Sequence, residues 1–276
     1  MIMATVTAAE VNELRSRTGA GMMDCRKALI ESNGDFEKAI DYLRKKGQKV
    51  AAKRSDRETK EGVVIAQVSD DKKRGVVICL SCETDFVARN EEFTGFAQSV
   101  AKLALDHSIA SIEDLNNEKV NGEIVSDKIN DLIGKIGEKI TLSRYEKIEA
   151  AYIVSYTHGN YRMGVLVGYS KTIEESAARD VAMQIAAMNP IAVDENSVPG
   201  DVIAREKEIA VEQVKAEGKP AEMAEKIAMG KVNKFFKEQT LLAQPFVKDN
   251  KLSVAAYLKS IDPDVKVTGF RRVALG

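Results

Sequence analysis

One succession of patterns occurs twice in this chain: two short apolar strands around a polar turn, then a stretch with an apolar helical face. In the first copy, residues 62–68 and 75–80 alternate or run apolar on either side of Ser69-Asp70-Asp71-Lys72-Lys73. Phe93, Phe96, Val100, Leu103 and Ala104 follow at helical spacing. In the second, residues 152–156 and 163–169 flank Thr157-His158-Gly159-Asn160-Tyr161, followed by Ala178, Val181, Ala182, Ile185 and Met188. A lone hairpin is barely stable in water, so each pair of strands needs a third strand or a covering helix. Residues 119–133 (a helix) and 139–145 (a strand) are expected to complete the first copy. A helix over 254–261 and a strand over 265–274 are expected to complete the second. The reading is an α+β chain with two duplicated modules, each a small antiparallel sheet plus helices. Identity between the halves is weak, so element order carries it.

Ahead of these modules, residues 7–47 read as three short helices. Thr7-Ala8-Ala9-Glu10 has the form of a capping box. Val11 and Leu14 mark the first helix, and Gly19-Ala20-Gly21 breaks it. Met22, Met23, Arg26, Ala28 and Leu29 open the second, which Gly34 ends. Asp35 caps a third with Phe36, Ala39, Ile40 and Leu43, expected to close at Gly47. Such a bundle resembles the ubiquitin-associated type and is too small to be very stable alone. Residues 45–60 carry seven Lys or Arg side chains and few large apolar ones, and read as a solvated linker, with contact to ribosomal RNA or an acidic partner as the functional alternative. A second interruption, residues 199–240, is helix-forming and charged, with Ile203, Ile209, Val214, Met223, Ile227 and Phe235 as a thin apolar seam and Glu217-Gly218-Lys219-Pro220 in the middle. A seam this narrow suits an antiparallel coiled-coil hairpin. The domain reading is therefore 1–57 for the helical bundle and basic linker, 58–150 for the first module, 151–198 with 241–276 for the second, and 199–240 for the inserted hairpin. Self-association of that hairpin into a homodimer and simple projection both remain open.

Composition narrows the function. Net charge is -1 with 30% charged residues, unlike the basic excess of a dedicated nucleic-acid binder, so no direct nucleic-acid contact is expected. Cys25, Cys79 and Cys82 are few and odd in number, which fits a reducing compartment and a cytoplasmic location. Neither a membrane span nor a signal pattern is apparent. Cys79-Leu80-Ser81-Cys82 has CxxC spacing, but on a strand its thiols point to opposite faces. His107 and His158 stand outside any triad or metal pattern, and Gly19-Ala20-Gly21 lacks the phosphate-loop frame. No catalytic residue, metal or cofactor is expected.

The run Glu83-Thr84-Asp85-Phe86-Val87-Ala88-Arg89-Asn90 joins the second strand to the first module's helix. A large ring, Phe86, stands where a connection normally turns polar, with charges on both sides. An exposed aromatic framed by charges is what a protein-binding hot spot needs. The alternative is that Phe86 anchors the loop in its own core. His158, on the second hairpin, is either a contact residue on a rigid turn or a solvated histidine.

Together with RTGAGMMDCRKAL at residues 17–29, the run ETDFVARN resembles the elongation factor Ts family of bacteria and organelles. The resemblance extends from about Val6 to the last strand. It implies a guanine nucleotide exchange factor for the GTPase elongation factor Tu, rather than an enzyme. By that resemblance Thr84, Asp85, Phe86 and Val87 touch the GTPase domain, with Phe86 wedged between two helices near the magnesium and phosphate site. Arg15, Met22, Met23 and Arg26 match contacts on another helix of that domain, and His158 and Val247 match contacts to a second domain. Arg26 stands where lysine is common, and Lys248 follows Val247 where an apolar residue can occur. Some members carry a further helical module after the last strand, so affinity for Tu is expected to be lower here. The rival is a ribosome- or RNA-docking adaptor without exchange activity, whose binding would weaken steeply with salt.

Overall fold

The computed structural model describes residues 6–217 and 221–276, and it is a mixture of helices and small sheets. By compactness the chain falls into two units, Met1–Ile65 with Ile78–Tyr145 and Ala274–Gly276, and Ala66–Val77 with Glu146–Val273.

The first unit opens with α1 (Ala8–Thr18), α2 (Met22–Glu31) and α3 (Phe36–Lys53). The capping box is formed: Thr7 N–H donates to the Glu10 carboxylate at 2.7 Å, and Glu10 N–H donates to Thr7 Oγ1 at 3.3 Å. Gly19 closes α1 in the left-handed region, and Asp35 Oδ1 caps α3 by accepting from Lys38 N–H. Val11, Leu14, Cys25, Ala28, Leu29 and Ala39 form the cluster these helices share.

Gly47 does not end α3, which continues to Lys53 and takes up half of the expected linker. The reason is packing. α3 lies against α7 (Val125–Ile136), and the two backbones come close at Gly47 and Gly134. A Cβ on Gly47 would sit 2.7 Å from the Asn130 carbonyl oxygen, and one on Gly134 would sit 2.9 Å from Gly47 Cα. The glycine that reads as a helix stop is the residue that lets two helices touch.

β1 (Glu61–Val68) and β2 (Arg74–Cys82) form the first hairpin, closed by Ser69 N–H donating to the Arg74 carbonyl. The one-turn helix α4 (Asp85–Ala88) and the long α5 (Glu91–His107) follow. α5 buries Phe93, Phe96, Val100, Leu103 and Ala104. The helix expected over 119–133 forms only from Val125 on, as α7, and is preceded by α6 (Ile112–Asn117) and a miniature hairpin of β3 (Lys119–Val120) and β4 (Glu123–Ile124). Asn121 and Gly122 both have positive φ, as the tight two-residue hairpin turn requires. β5 (Ile140–Glu149) pairs on β2, giving the strand order β1-β2-β5.

The second unit has β6 (Tyr152–His158) antiparallel to β7 (Met163–Tyr169), with β10 (Val267–Ala274) on the far side of β7. In each of these sheets the second hairpin strand is central. α8 (Glu175–Met188) covers β6 and β7, burying Val181, Ala182 and Ile185 with Val165, Val167 and Tyr169. The Tyr169 hydroxyl donates to the Ala178 carbonyl at 3.0 Å inside that core. α9 (Gly200–Ala216) and α10 (Ala221–Gln239) pack on each other. Among the described residues their buried seam is Ala210, Val214, Ala228 and Val232, whereas Ile209 is exposed. The expected break at 218–220 and the Met223 side chain lie outside the described residues. β8 (Pro245–Phe246), β9 (Asp249–Ser253) and α11 (Val254–Ile261) precede β10. Among the described residues, no helix is long and apolar enough to cross a membrane.

Gly→Ala inside a helix ordinarily gains about 1 kcal/mol. At Gly47 or Gly134 the sign reverses, because the added carbon meets backbone, and overpacking of this kind costs roughly 1–3 kcal/mol. Gly95 in α5 has open space around its Cβ position, so Gly95→Ala is expected to stabilise. Chemical-denaturation midpoints of the three variants check this pairwise.

Candidate partner-binding surface

β2 ends at Cys82, and the next eight residues turn the chain into α5. Two acidic side chains anchor the turn. Glu83 accepts from the Lys139 N–H at 2.6 Å and from the Arg54 guanidinium at 2.8 Å. The Lys139 backbone N–H, and after it Arg54, hold the Glu83 carboxyl below its usual range. A lowered folded pKa means the anchor is fully present above the ordinary glutamate range and is lost as pH falls through the lowered value. Glu138 grips Thr84 with both oxygens, accepting from its N–H at 3.0 Å and its hydroxyl at 2.6 Å. On the far side, Asn90 Oδ1 caps α5 by accepting from Glu92 and Phe93 N–H.

Between these anchors lies α4. Four residues cannot sustain a helix by propensity, so its shape comes from its ends. Val87 is buried and holds the turn to the core. Asp85 pairs with Arg89 one turn on, at 2.9 Å. Phe86 is 82% exposed, which removes the core-anchor alternative.

Elsewhere in this unit, Met22 and Met23 open α2 and are 53% and 71% exposed. Arg15 and Arg26 are exposed as well. Ile30, 41% exposed, continues the face of Met23 and Arg26 by helical spacing. Ile30 is not among the expected contact residues, although its seven-residue offset from Met23 signals the shared face.

In the second unit, His158 ends β6 opposite Met163, and its Nδ1 lies 2.9 Å from the Tyr156 hydroxyl. Val247 follows β8, half-exposed, and its N–H donates to Gln184 Oε1 at 2.8 Å. Gln184 is fully buried among the apolar residues of α8 and is likewise not among the expected site residues. The only trace it leaves in the sequence is a polar residue among Val181, Ala182 and Ile185.

The family described as Elongation factor TS matches residues 83–276, beginning at the acidic anchor of this turn. An elongation factor Ts from Flavobacterium psychrophilum is 53% identical over 276 residues, covering 99% of this chain and 100% of its own length. One from Christiangramia forsetii is 51% identical with the same coverage, and one from Chlorobium phaeobacteroides is 45% identical over 287 residues. The chain belongs to the elongation factor Ts family. These relatives also span the three N-terminal helices, which precede the family match.

Elongation factor Ts membership makes this a translation elongation factor, and its thiols have a structural place in it. Cys25, Cys79 and Cys82 are all buried and unpaired. Cys82 Sγ donates to the Thr84 carbonyl at 3.1 Å, tying β2 to the turn. Burial first, then Glu138 and Glu61, push the Cys82 thiol up to about 12. Burial raises Cys25 too. The thiolate is the reactive form, so these side chains act as small core residues. At neutral pH an aromatic disulfide reagent is expected to leave the folded protein's thiols unmodified over minutes and to titrate all three after denaturation. A thiol that reacts rapidly in the folded protein would contradict this assignment.

Proposed function

We propose that this chain is the guanine nucleotide exchange factor of elongation factor Tu, acting in the cytoplasm. The observation that carries the reading is the exposure of Phe86 on a turn fixed at both ends. A rigid, desolvatable ring between charges gives up little conformational freedom on docking, which is how a hot-spot anchor gains affinity. In this reading Thr84, Asp85, Phe86 and Val87 engage the GTPase domain of Tu. Phe86 enters between two helices near the magnesium and phosphate site and loosens GDP from its phosphate end. Arg15, Met22, Met23 and Arg26 take a second helix of that domain, where methionine side chains adapt to the partner. His158 and Val247 reach another domain.

Exchange of this kind needs no acid, base or nucleophile. If the factor weakens GDP binding to Tu, then GDP weakens the factor's binding by the same ratio, and GTP completes the cycle by displacing it. The N-terminal bundle, residues 1–57, takes the role of a ubiquitin-associated-like docking piece. The two sheet modules, 58–150 and 151–198 with 241–276, take those of scaffolds. Residues 199–240 form a coiled-coil appendage.

Release of a fluorescent GDP analogue from Tu tests the reading. An off-rate unchanged at saturating protein would overturn it. A contact that weakens steeply with salt and leaves GDP in place would favour RNA docking instead. Phe86→Ala is expected to cost about 2 kcal/mol or more in binding to Tu. The same change should move the melting temperature little, since a buried phenylalanine would cost about 3–5 kcal/mol of stability and this one is exposed. Asp85→Ala should show a weaker form of the same split. Replacing residues 199–240 by a short Gly/Ser link should leave exchange largely intact. Loss of most activity in a well-folded deletion would assign the hairpin a contact of its own.

A further inference from the structure

Gln184 lies in the middle of α8 with no exposed surface, between residues that build the apolar core. A buried amide is costly unless its polar atoms are bonded, and this one's are. Nε2 donates to the Pro245 carbonyl and to Gln244 Oε1, both at 3.1 Å, while Oε1 accepts the Val247 N–H at 2.8 Å. Gln244 is itself buried and donates to the Glu238 carbonyl at 2.8 Å. An apolar side chain of similar length would fill the same space, so what the amide adds is a fixed path for the chain at Pro245-Phe246-Val247.

One helical turn before Gln184, Asp180 performs a parallel task. Its carboxylate accepts from Lys248 Nζ at 2.6 Å and from the Tyr257 hydroxyl at 3.2 Å. The Tyr257 ring stacks on Phe246 with centroids 4.1 Å apart. Val247 is thereby held between two α8 side chains, Gln184 on its own N–H and Asp180 on the next residue. The neighbouring Arg179 places its guanidinium 5.8 Å from the ring centre of Tyr156, whose hydroxyl meets His158. Gln184 thus bonds Val247 directly, while Asp180 bonds the residue after it and Arg179 lies over the ring whose hydroxyl meets His158.

We propose that α8 is the positioning element of the second contact, with Gln184 and Asp180 setting Val247 for the docking of elongation factor Tu. The inference depends on the exchange reading and adds residues to it that never touch the partner. Its physical content is preorganisation. Freed from Gln184, the segment after Pro245 must be ordered at the moment of docking, so affinity falls while the Phe86 step is untouched.

The test measures GDP release across a Tu titration, reading the half-saturating concentration and the maximal rate separately, with thermal melts alongside. Gln184→Met is expected to raise the half-saturating concentration roughly three- to tenfold, the equivalent of one or two lost hydrogen bonds, with an unchanged maximal rate. Val247→Ala should raise it as well. In the Val247→Ala background, Gln184→Met should add no further shift, although the melting temperature still drops, because a positioning residue acts only through what it positions. Asp180→Asn should behave the same way, and it decides the matter if Gln184→Met does not fold. Equal shifts in both backgrounds, or melts that move while half-saturation does not, would overturn the proposal. Val247→Ala without effect, in a protein that does release GDP, overturns it and leaves the exchange reading standing. Failure of the unaltered protein to release GDP removes both.

Discussion

The two-oxygen hold of Glu138 on Thr84 is the contact on which the functional reading depends. It occurs between β5's approach and the end of β2, so it binds together segments 54 residues apart in sequence. Glu83 makes the matching bond to Lys139 beside it. Together they let a four-residue helix keep its shape while its largest side chain stands in solvent. The ring's exposure thus coincides with a turn whose ends are held by hydrogen bonds.

Much of the architecture was legible because it is local. The Thr7-Glu10 box, the Asp35 cap and the apolar runs around a polar turn in both hairpins encode their own geometry within a few residues. The failures share a cause. Gly47 reads as a stop because a sequence shows its missing side chain but does not show Gly134 across from it. The helix expected over 119–133 ignored Asn121-Gly122, a turn signal that the surrounding apolar spacing masked. Ile209 fell in the expected seam, but the helices bury alanines and valines there instead.

The site divides along the same line. Phe86 could be singled out because it is an apolar residue in a charged, turn-forming setting, whereas Met22 and Met23 entered the site only through the family resemblance. Val87 could not be told from Phe86 without the backbone, since adjacent residues on one helical turn face different ways. Gln184 and Glu138 were invisible as supporting residues. Their partners lie about 54–63 residues away, a separation that no periodicity reports.

An exposed phenylalanine also bears on how the protein behaves while it waits for a partner. One ring flanked by the Asp85–Arg89 ion pair offers only a small apolar island, and wide contiguous patches are what drive soluble proteins together. The fixed turn keeps that island from spreading, because it denies neighbouring core residues such as Val87 any route to the surface. The same anchors that present the ring thus limit its stickiness. A protein built this way can hold that ring open without clumping through it.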